Sequence, residues 1–431
     1  MTAVIFTLGV VVFLLGVATS IALHELGHMW PAKKFGVKVT QFFVGFGRTV
    51  WSFKRGETEY GLKAIPLGGY VKLVGMLPPQ KDDPEHARTS NTGLFTQLAR
   101  DARELEYETV TVEDQDRLFY RRPWWQKVIV MAGGPTVNLL IAVVLFSISF
   151  MGFGVAVPTT TVAQVSDCAI TDAEAGRACT DADPVTPAKL AGLEPGDEIT
   201  SFDGEPVTSW DQLSTLIRGN GDQEAEIGFV RDGAETTVDV RTSVLARAAL
   251  DDPDRVEDVG FLGVVPLQTV ERQGPGFVIE ETGRVIGLTA QAVVHLPVRM
   301  VDVVRAALGA ERGQDTPISI VGASRVAGEL VTTDQPTVAV AAQRLIMLLA
   351  GLNLFLWLFN LIPLLPLDGG HIAGALWEAI RRGWARLRGR PDPGYVDVAK
   401  MLPVAYVVGS LLIIMGVVLI FADIVNPVRL S

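Results

Sequence analysis

Histidine and cysteine are both scarce in this chain of 431 residues, which contains 5 histidines and 2 cysteines. Multi-histidine membrane oxygenases and desaturases need more imidazoles than this chain has, so those classes are excluded. The two cysteines, Cys168 and Cys179, do not form a C-x-x-C pair, so they do not predict a zinc site. The formal net charge of -11 argues against a nucleic-acid partner.

Long apolar runs are abundant, and hydrophobic residues make up 48% of the chain. A helix needs about 20 apolar residues to cross the ~30 Å core of a bilayer. Four runs meet that length: Ala3–Leu23, Val128–Val157, Leu345–Leu367 and Met401–Ile424. We therefore predict a polytopic α-helical membrane protein with four transmembrane helices.

The distribution of charge predicts the orientation of these helices. Lysine and arginine are concentrated between the first two spans and after the third, where Arg381 and Arg382 begin a basic run. Positively charged loops tend to remain in the cytoplasm. The long acidic stretch between the second and third spans is then extracytoplasmic. Cys168 and Cys179 lie in it, either as a disulfide or as two free thiols.

The sequence His24-Glu25-Leu26-Gly27-His28 ends the first apolar run. Side chains four residues apart lie on one face of a helix, so both imidazoles can bind one zinc ion while Glu25 points at the open coordination position. This pattern also occurs by chance in helices that bind nothing. Ionisable groups are costly at membrane depth, however, and this favours a functional metal site.

A third protein ligand is needed, and Asp368 is the candidate. It follows Pro363 and Pro366 at the end of the third apolar run. Two prolines disrupt a helix, and irregular backbone at membrane depth is tolerated only inside a protein or beside a wet cavity. A carboxylate at this position therefore indicates an internal polar site.

Two further segments carry patterns of β-structure. Four short alternating runs within residues 37–74 predict hairpins, which either offer a strand edge to an extended substrate or are purely structural. Residues 187–199 read P-A-K-L-A-G-L-E-P-G-D-E-I, with a strand predicted at Glu198–Phe202 and a helix at Trp210–Arg218. This pattern resembles a PDZ domain of the bacterial protease type, which either binds extended peptides or serves as a spacer or steric gate.

Together these motifs resemble the site-2 protease family of intramembrane zinc metalloproteases, most closely its bacterial RseP-type regulators. Besides H-E-x-x-H, the resemblance rests on Asn360-x-x-Pro363-x-x-x-Leu367-Asp368-Gly369, on Gly134-Pro135-x-x-Asn138 and on one external PDZ domain. The order of spans, hairpin and PDZ domain matches as well. Some relatives have two PDZ domains, and the polar insertion here is longer and more acidic than the family leads us to expect.

The resemblance implies a role for individual residues. The ligands of one Zn²⁺ per chain would be His24, His28 and Asp368, and the general base would be Glu25. Substrate binding would involve Asn138, Asn360, Pro363, Gly68, Gly69 and Tyr70.

The implied function is cleavage of transmembrane segments of single-span proteins, such as anti-sigma factors, in regulated intramembrane proteolysis. The protein would be a multi-pass protein of a bacterial plasma membrane, with its active site reached from the cytoplasm. Its external PDZ domain would contact peptides or ectodomains. One alternative is a non-catalytic PDZ-containing scaffold with a structural metal. A zinc transporter is another, but it would need further ligands along the spans.

The predicted organisation has nine segments. They are transmembrane helix 1 (1–30), a membrane-associated β region (31–76), a cytoplasmic polar insertion (77–123), transmembrane helix 2 (124–157), the extracytoplasmic PDZ domain (158–268), an extracytoplasmic linker with amphipathic helices (269–343), transmembrane helix 3 (344–371), a cytoplasmic basic loop (372–400) and transmembrane helix 4 (401–425).

Overall fold

The computed structural model describes residues 2–76, 112–171, 177–250, 255–310, 312–313, 316–333 and 336–428. The predicted polar insertion therefore falls largely outside the described residues. Backbone contacts divide the chain into two compact units. The first unit is Met1–Phe153 with Gly274–Ser431, and the second is Gly154–Gln273.

The helices and strands are numbered in chain order. They are α1 (Thr2–Lys34), β1 (Val39–Arg55), β2 (Thr58–Leu73), α2 (Trp124–Ser147), β3 (Val155–Val165), α3 (Pro187–Leu190), β4 (Glu198–Phe202), β5 (Glu205–Pro206), α4 (Trp210–Gly219), β6 (Glu224–Arg231), β7 (Ala234–Arg241), β8 (Ser243–Ala248), β9 (Val256–Phe261), β10 (Val264–Glu271), α5 (Pro275–Ala307), α6 (Ile320–Leu330), α7 (Val338–Asn360), α8 (Asp368–Leu387) and α9 (Leu402–Val425).

Among the residues of the first unit that the structure describes, four helices are long and apolar enough to cross a membrane. They are α1, α2 with its continuation as a π-helical turn to Phe153, α7 and α9. The prediction of four spanning helices is confirmed. Their outward faces carry large exposed apolar side chains such as Leu8, Val144 and Ile413, which suit contact with lipid rather than with water.

The third spanning helix, α7, ends at Asn360. Residues 361–367 form turns, because Pro363 and Pro366 cannot continue the helical hydrogen-bond ladder. A new helix, α8, then begins at Asp368. The segment predicted as span 3 (344–371) thus contains most of α7, the turns after it and the first turn of α8, and much of the segment predicted as a basic loop is helical.

Strands β1 and β2 form an antiparallel pair that bends at glycines. Gly45, Gly47 and Gly68 have φ angles of 93°, 86° and 94°, which residues with a Cβ atom rarely adopt. At Gly45 a Cβ atom would also lie 2.7 Å from the carbonyl oxygen of Ile65. The bends bring pairing partners to both sides of residues 41–44. The four predicted short runs are therefore segments of two long, bent strands.

The second unit contains a sheet in the order β10-β3-β4-β6-β7, with β5 beside β4, and a separate hairpin of β8 and β9. Leu213 of α4 lies in one fully buried cluster with Ile199 and Ile227 of the sheet. Ser209 caps α4, because its side chain accepts a hydrogen bond from the backbone N–H of Gln212. Strand β4 and helix α4 form where the sequence predicts them, and the PDZ assignment stays a prediction.

A disulfide joins Cys168 and Cys179 in the second unit, so the alternative of two free thiols is not adopted. Cys168 also forms an isolated β-bridge with Val185. The chain, which has no other cysteine, therefore contains no free thiol.

Helix α5 is a single helix of 33 residues that continues through Pro297. Its Val303 packs in one buried cluster with Ala422 of α9, so α5 lies against a spanning helix. Asp423 of α9 is also buried, and Arg312 neutralises it in an ion pair of 2.7 Å. This carboxylate is a structural partner rather than a further metal ligand.

The carboxylate of Asp197 holds the start of β4 in the second unit. Arg231 donates two hydrogen bonds to it, each of 2.7 Å, and the backbone N–H of Glu194 donates a third of 2.8 Å. Burial alone would raise the pKa of Asp197, but Arg231 and this N–H lower it overall. The pair therefore adds stability above the unfolded-state pKa, near 4, and loses it as the pH falls through the folded-state pKa.

We predict that Asp197→Asn destabilises the second unit by roughly 2–3 kcal/mol at neutral pH, because Arg231 loses a charged partner. The stability of the variant should also depend less on pH below about pH 4, because the carboxyl group that takes up a proton there has been removed. Hydrogen exchange of the β4 and β6 amides in the full chain, across this pH range, measures both effects. The control is Asp222→Asn, which breaks an exposed pair with Arg241. An equal loss of protection in both variants would contradict the prediction.

Candidate metal centre

His24 and His28 lie one turn apart near the end of α1, as their spacing predicts. Their Nε2 atoms are 3.2 Å from each other. Asp368, the first residue of α8, places Oδ2 at 3.5 Å from Nε2 of His24 and at 3.4 Å from Nε2 of His28. Residues some 340 positions apart thus meet at one point.

The three donor atoms have the spacing of a zinc site. In a tetrahedral site with bonds of 2.0–2.1 Å, neighbouring ligand atoms are about 3.3 Å apart. The observed separations of 3.2, 3.4 and 3.5 Å match that edge. Two imidazole nitrogens and one carboxylate oxygen are also donors that zinc accepts, with a fourth position left for water. The residues present therefore fit the predicted metal.

Helix α2 forms the wall behind the two histidines, and glycines allow it to come close. A Cβ atom at Gly133 would lie 2.0 Å from the carbonyl oxygen of Gly27. A Cβ atom at Gly134 would lie 2.2 Å from Nε2 of His28. The close approach also puts the carbonyl oxygen of Val130 at 2.8 Å from Nδ1 of His28. An N–H at Nδ1 that donates to this oxygen leaves Nε2 free to bind a metal.

The position of Asp368 depends on the two glycines that follow it. A Cβ atom at Gly369 would lie 2.2 Å from the carbonyl oxygen of Ile362, and one at Gly370 would lie 2.7 Å from the backbone nitrogen of Leu365. The first turn of α8 therefore packs directly on the irregular segment before it. Side chains larger than hydrogen would push Asp368 away from the histidines.

Glu25 lines a cavity of about 350 Å³, and the three donor residues line it as well. Strand β2 forms the opposite wall, and a Cβ atom at Gly69 would lie 2.9 Å from Cγ of Glu25. The volume is within the range of small-ligand sites. The lining residues are His24, Glu25, His28, Gly69, Tyr70, Val71, Leu73, Met76, Met131, Asn360, Pro366, Asp368 and His371.

The predicted substrate-binding residues divide into two groups. Asn360, Gly69 and Tyr70 line the cavity. Asn138, Pro363 and Gly68 are not among its lining residues. Asn138 is buried in α2, Pro363 lies in the turns before α8, and Gly68 meets the ring of Phe46. Their roles in substrate binding stay predictions.

Sequence reasoning missed His371 as a wall of the cavity. His371 lies one helical turn after Asp368, so the i, i+3 spacing could have indicated that both share a face of α8. Met76, Met131 and Pro366 were missed as well. No local pattern marks them, because only the packing of α2, β2 and the turn before α8 brings them together.

Two histidines on a helix of membrane-spanning length, with an aspartate that follows the end of another such helix, are typical of an intramembrane zinc metalloprotease. Comparison with known proteins gives the same class. The chain belongs to peptidase family M50, the site-2 proteases, which its sequence matches over residues 12–391. The predicted family and metalloprotease activity are thereby confirmed.

The chain is similar to several proteins named as metalloproteases. It is 34% identical over 440 residues to the zinc metalloprotease Rip1 of Mycobacterium tuberculosis (strain ATCC 25618 / H37Rv), across 99% of each chain. Identity to Rip1 of Mycolicibacterium smegmatis is 35% over 451 residues, again across 99% of each chain. The metalloprotease MmpA of Caulobacter vibrioides is 27% identical over 393 residues, across 88% of each chain.

Gly134→Ala should weaken zinc binding roughly 10- to 100-fold, the range seen when the surroundings of metal ligands are disturbed. The added methyl group would collide with the donor atoms of both His28 and His24, at 2.2 and 2.7 Å. Competition with a chelator measures the zinc affinity, and circular dichroism checks the fold. Gly152→Ala is the matched control, since nothing lies within 4 Å of its Cβ position. Equal zinc affinity in both variants would refute the prediction.

Proposed function

We propose that this protein cleaves transmembrane segments of single-span membrane proteins, such as anti-sigma factors, with one zinc ion held by His24, His28 and Asp368. The observation that supports it best is the tetrahedral spacing of these donors in the wall of a cavity between membrane-spanning helices. A bound zinc ion lowers the pKa of its water towards neutrality and polarises the scissile carbonyl group.

Glu25 is the general base in this proposal. It follows His24 directly, lies three residues before His28 and lines the same cavity as both histidines. Its carboxylate takes the proton of the attacking water, holds it, and delivers it to the nitrogen of the departing amine. One side chain thus carries the proton from the attacking water to the departing amine.

Strand β2 holds the substrate in an extended form. A helical substrate cannot be cut, because its carbonyl groups are already hydrogen-bonded and enclosed. Gly69, Tyr70 and Val71 line the cavity, and β1 is their strand partner. Their cavity side can therefore pair with a substrate backbone, as in recognition by strand addition.

The membrane in question is the plasma membrane of a bacterium. The basic segments around residues 31–123 and 372–400 lie in the cytoplasm, since positively charged loops remain on that side. The metal centre, at the end of α1, then opens towards cytoplasmic water. The acidic second unit lies outside the cell and acts as a PDZ domain.

Outside the membrane, the second unit acts as a size filter. A substrate with a large folded ectodomain is excluded by this unit, whereas a substrate that another protease has already trimmed is admitted. Peptide binding is the other activity that a PDZ domain offers, and it would make the unit necessary for cleavage instead.

We predict that Glu25→Gln lowers the rate of cleavage at least 100-fold, because the amide cannot accept the proton. Zinc content should stay at one ion per chain, since the three metal-binding side chains are intact. Cleavage of a single-span model substrate by purified protein in liposomes, with metal analysis in parallel, measures both. Glu280→Gln, at an exposed position of α5, is the control. Unchanged cleavage by the zinc-loaded Glu25→Gln protein would refute the mechanism and favour a scaffold with a structural metal.

Replacement of Gly154–Gln273 by a flexible linker tests the size filter. The shortened protein should cleave a substrate with an intact ectodomain as fast as a trimmed substrate, whereas the full chain should prefer the trimmed one. Quantitative immunoblotting of the two substrates in the same cells measures this preference. An unchanged preference would contradict the filter, and loss of cleavage of both substrates would favour the peptide-binding role.

A further inference from the structure

Helix α8 is inverted relative to a helix of a water-soluble protein. Its buried face consists of small residues and one charged residue, Glu378, which is only 2% exposed and accepts a hydrogen bond of 2.7 Å from Lys127 of α2. Its outward face is apolar. Trp377, Ile380 and Trp384 are 55%, 59% and 56% exposed.

The outward face is a continuous stripe. Leu376 and Trp377 are adjacent, and Ile380, Trp384 and Leu387 follow at intervals of three and four residues, so all five lie on one side of the helix. Two tryptophans and three aliphatic side chains form a patch of several hundred Å², about the largest that a soluble protein leaves in water. We therefore expect an apolar partner to cover the stripe.

The position of α8 points to the boundary of a bilayer. Lys127, which binds Glu378, lies in the first turn of the spanning helix α2, so α8 passes beside the end of a span rather than its middle. Trp124 and Trp125 begin α2 and are exposed. Trp30, near the end of α1, is exposed as well. Tryptophan is enriched where the apolar core of a bilayer meets its headgroups.

The charge around the stripe is positive. Arg386 and Arg388 are exposed at the end of α8, and the guanidinium group of Arg388 lies 4.4 Å from the ring centre of Trp384. Lys34 lies over Trp30 at 5.1 Å in the same way. The acidic residue of α8 closest to this end, Glu378, is buried and already paired. An apolar stripe edged by arginines fits anionic phospholipids.

We propose that the outward face of α8 is a binding surface for the headgroup boundary of a bilayer that contains anionic phospholipids. The stripe enters the acyl region, and Arg386 and Arg388 bind lipid phosphate groups. Because α8 begins at Asp368, this contact also fixes the depth of a metal-binding residue. The inference goes beyond the proposed cleavage and is tested without it.

A single fluorophore tests the lipid contact. The chain has no free thiol, so Ile380→Cys offers one site for a bimane label on the full-length protein in vesicles of phosphatidylcholine and phosphatidylglycerol. Lipids with brominated chains should quench this label several-fold more than aqueous iodide does. Thr237→Cys, exposed on β7, is the control and should show the opposite order.

Two results would overturn the lipid contact. If iodide quenched the label at position 380 as strongly as the label at 237, the stripe would face water. If neither quencher reached position 380, protein would cover the stripe, either a second copy or another segment of this chain.

The arginines are tested by comparing brominated phosphatidylglycerol with brominated phosphatidylcholine. An arginine near an anionic surface contributes about fivefold in binding, so the label at position 380 should report a clear preference for phosphatidylglycerol. In the double variant Arg386→Gln/Arg388→Gln, the ratio of quenching by brominated phosphatidylglycerol to quenching by brominated phosphatidylcholine should fall close to one. Arg241→Gln/Arg255→Gln, in the second unit, should leave it unchanged. Equal quenching by both lipids in the parent protein, or a preference that survives loss of Arg386 and Arg388, would refute the anionic specificity.

Discussion

The direct backbone contact between α1 and α2 at Gly27 and Gly133 is the constraint on which the metal centre depends. A single methyl group at Gly133 would come within 2.0 Å of the Gly27 carbonyl oxygen, so the two spanning helices meet with no side chain between them. This closeness brings the carbonyl group of Val130 to His28 and seats both imidazoles against Gly134. Small residues are the usual means by which helices approach each other in a membrane, where the hydrophobic effect does not drive them together.

The position of the third donor, Asp368, depends on a broken helix rather than on two closely packed helices. A carboxylate at membrane depth needs polar partners and backbone that is satisfied without water. The prolines before Asp368 end α7, and Gly369 and Gly370 let α8 start directly on the resulting turn. Helix α8 then turns its polar side inward, where Lys127 binds Glu378. Further along α8 from the candidate metal centre, a charged pair is therefore buried, while Trp377, Ile380 and Trp384 stay on the exposed face.

Much of the metal centre could be predicted from local sequence. The spacing of His24 and His28 requires only that the segment is helical, and Asp368 is marked by the prolines that precede it. The cavity wall could be predicted only in part: Asn360, Gly69 and Tyr70 line the same cavity as the candidate metal ligands, and their role in substrate binding stays a prediction. The place of His371 and Met76 in the cavity wall could not be predicted, because it arises where separate segments of the chain meet. Likewise, basic residues after the third span indicated a loop. The segment instead folds as a helix, α8, whose exposed side is apolar.

The sequence by itself determined the class of protein, the four apolar spans and the candidate metal ligands, because each depends on composition or on a local sequence pattern. Only the tertiary structure decided that the donors of α1 and α8 have the spacing of three corners of a zinc tetrahedron, that β2 lies beside Glu25 at the cavity and that α8 has its large apolar side chains on its exposed face. Such features arise from contacts between residues far apart in the chain. Their geometry is set by how closely backbones can approach, which depends on the absence of side chains at Gly27, Gly133, Gly134 and Gly369.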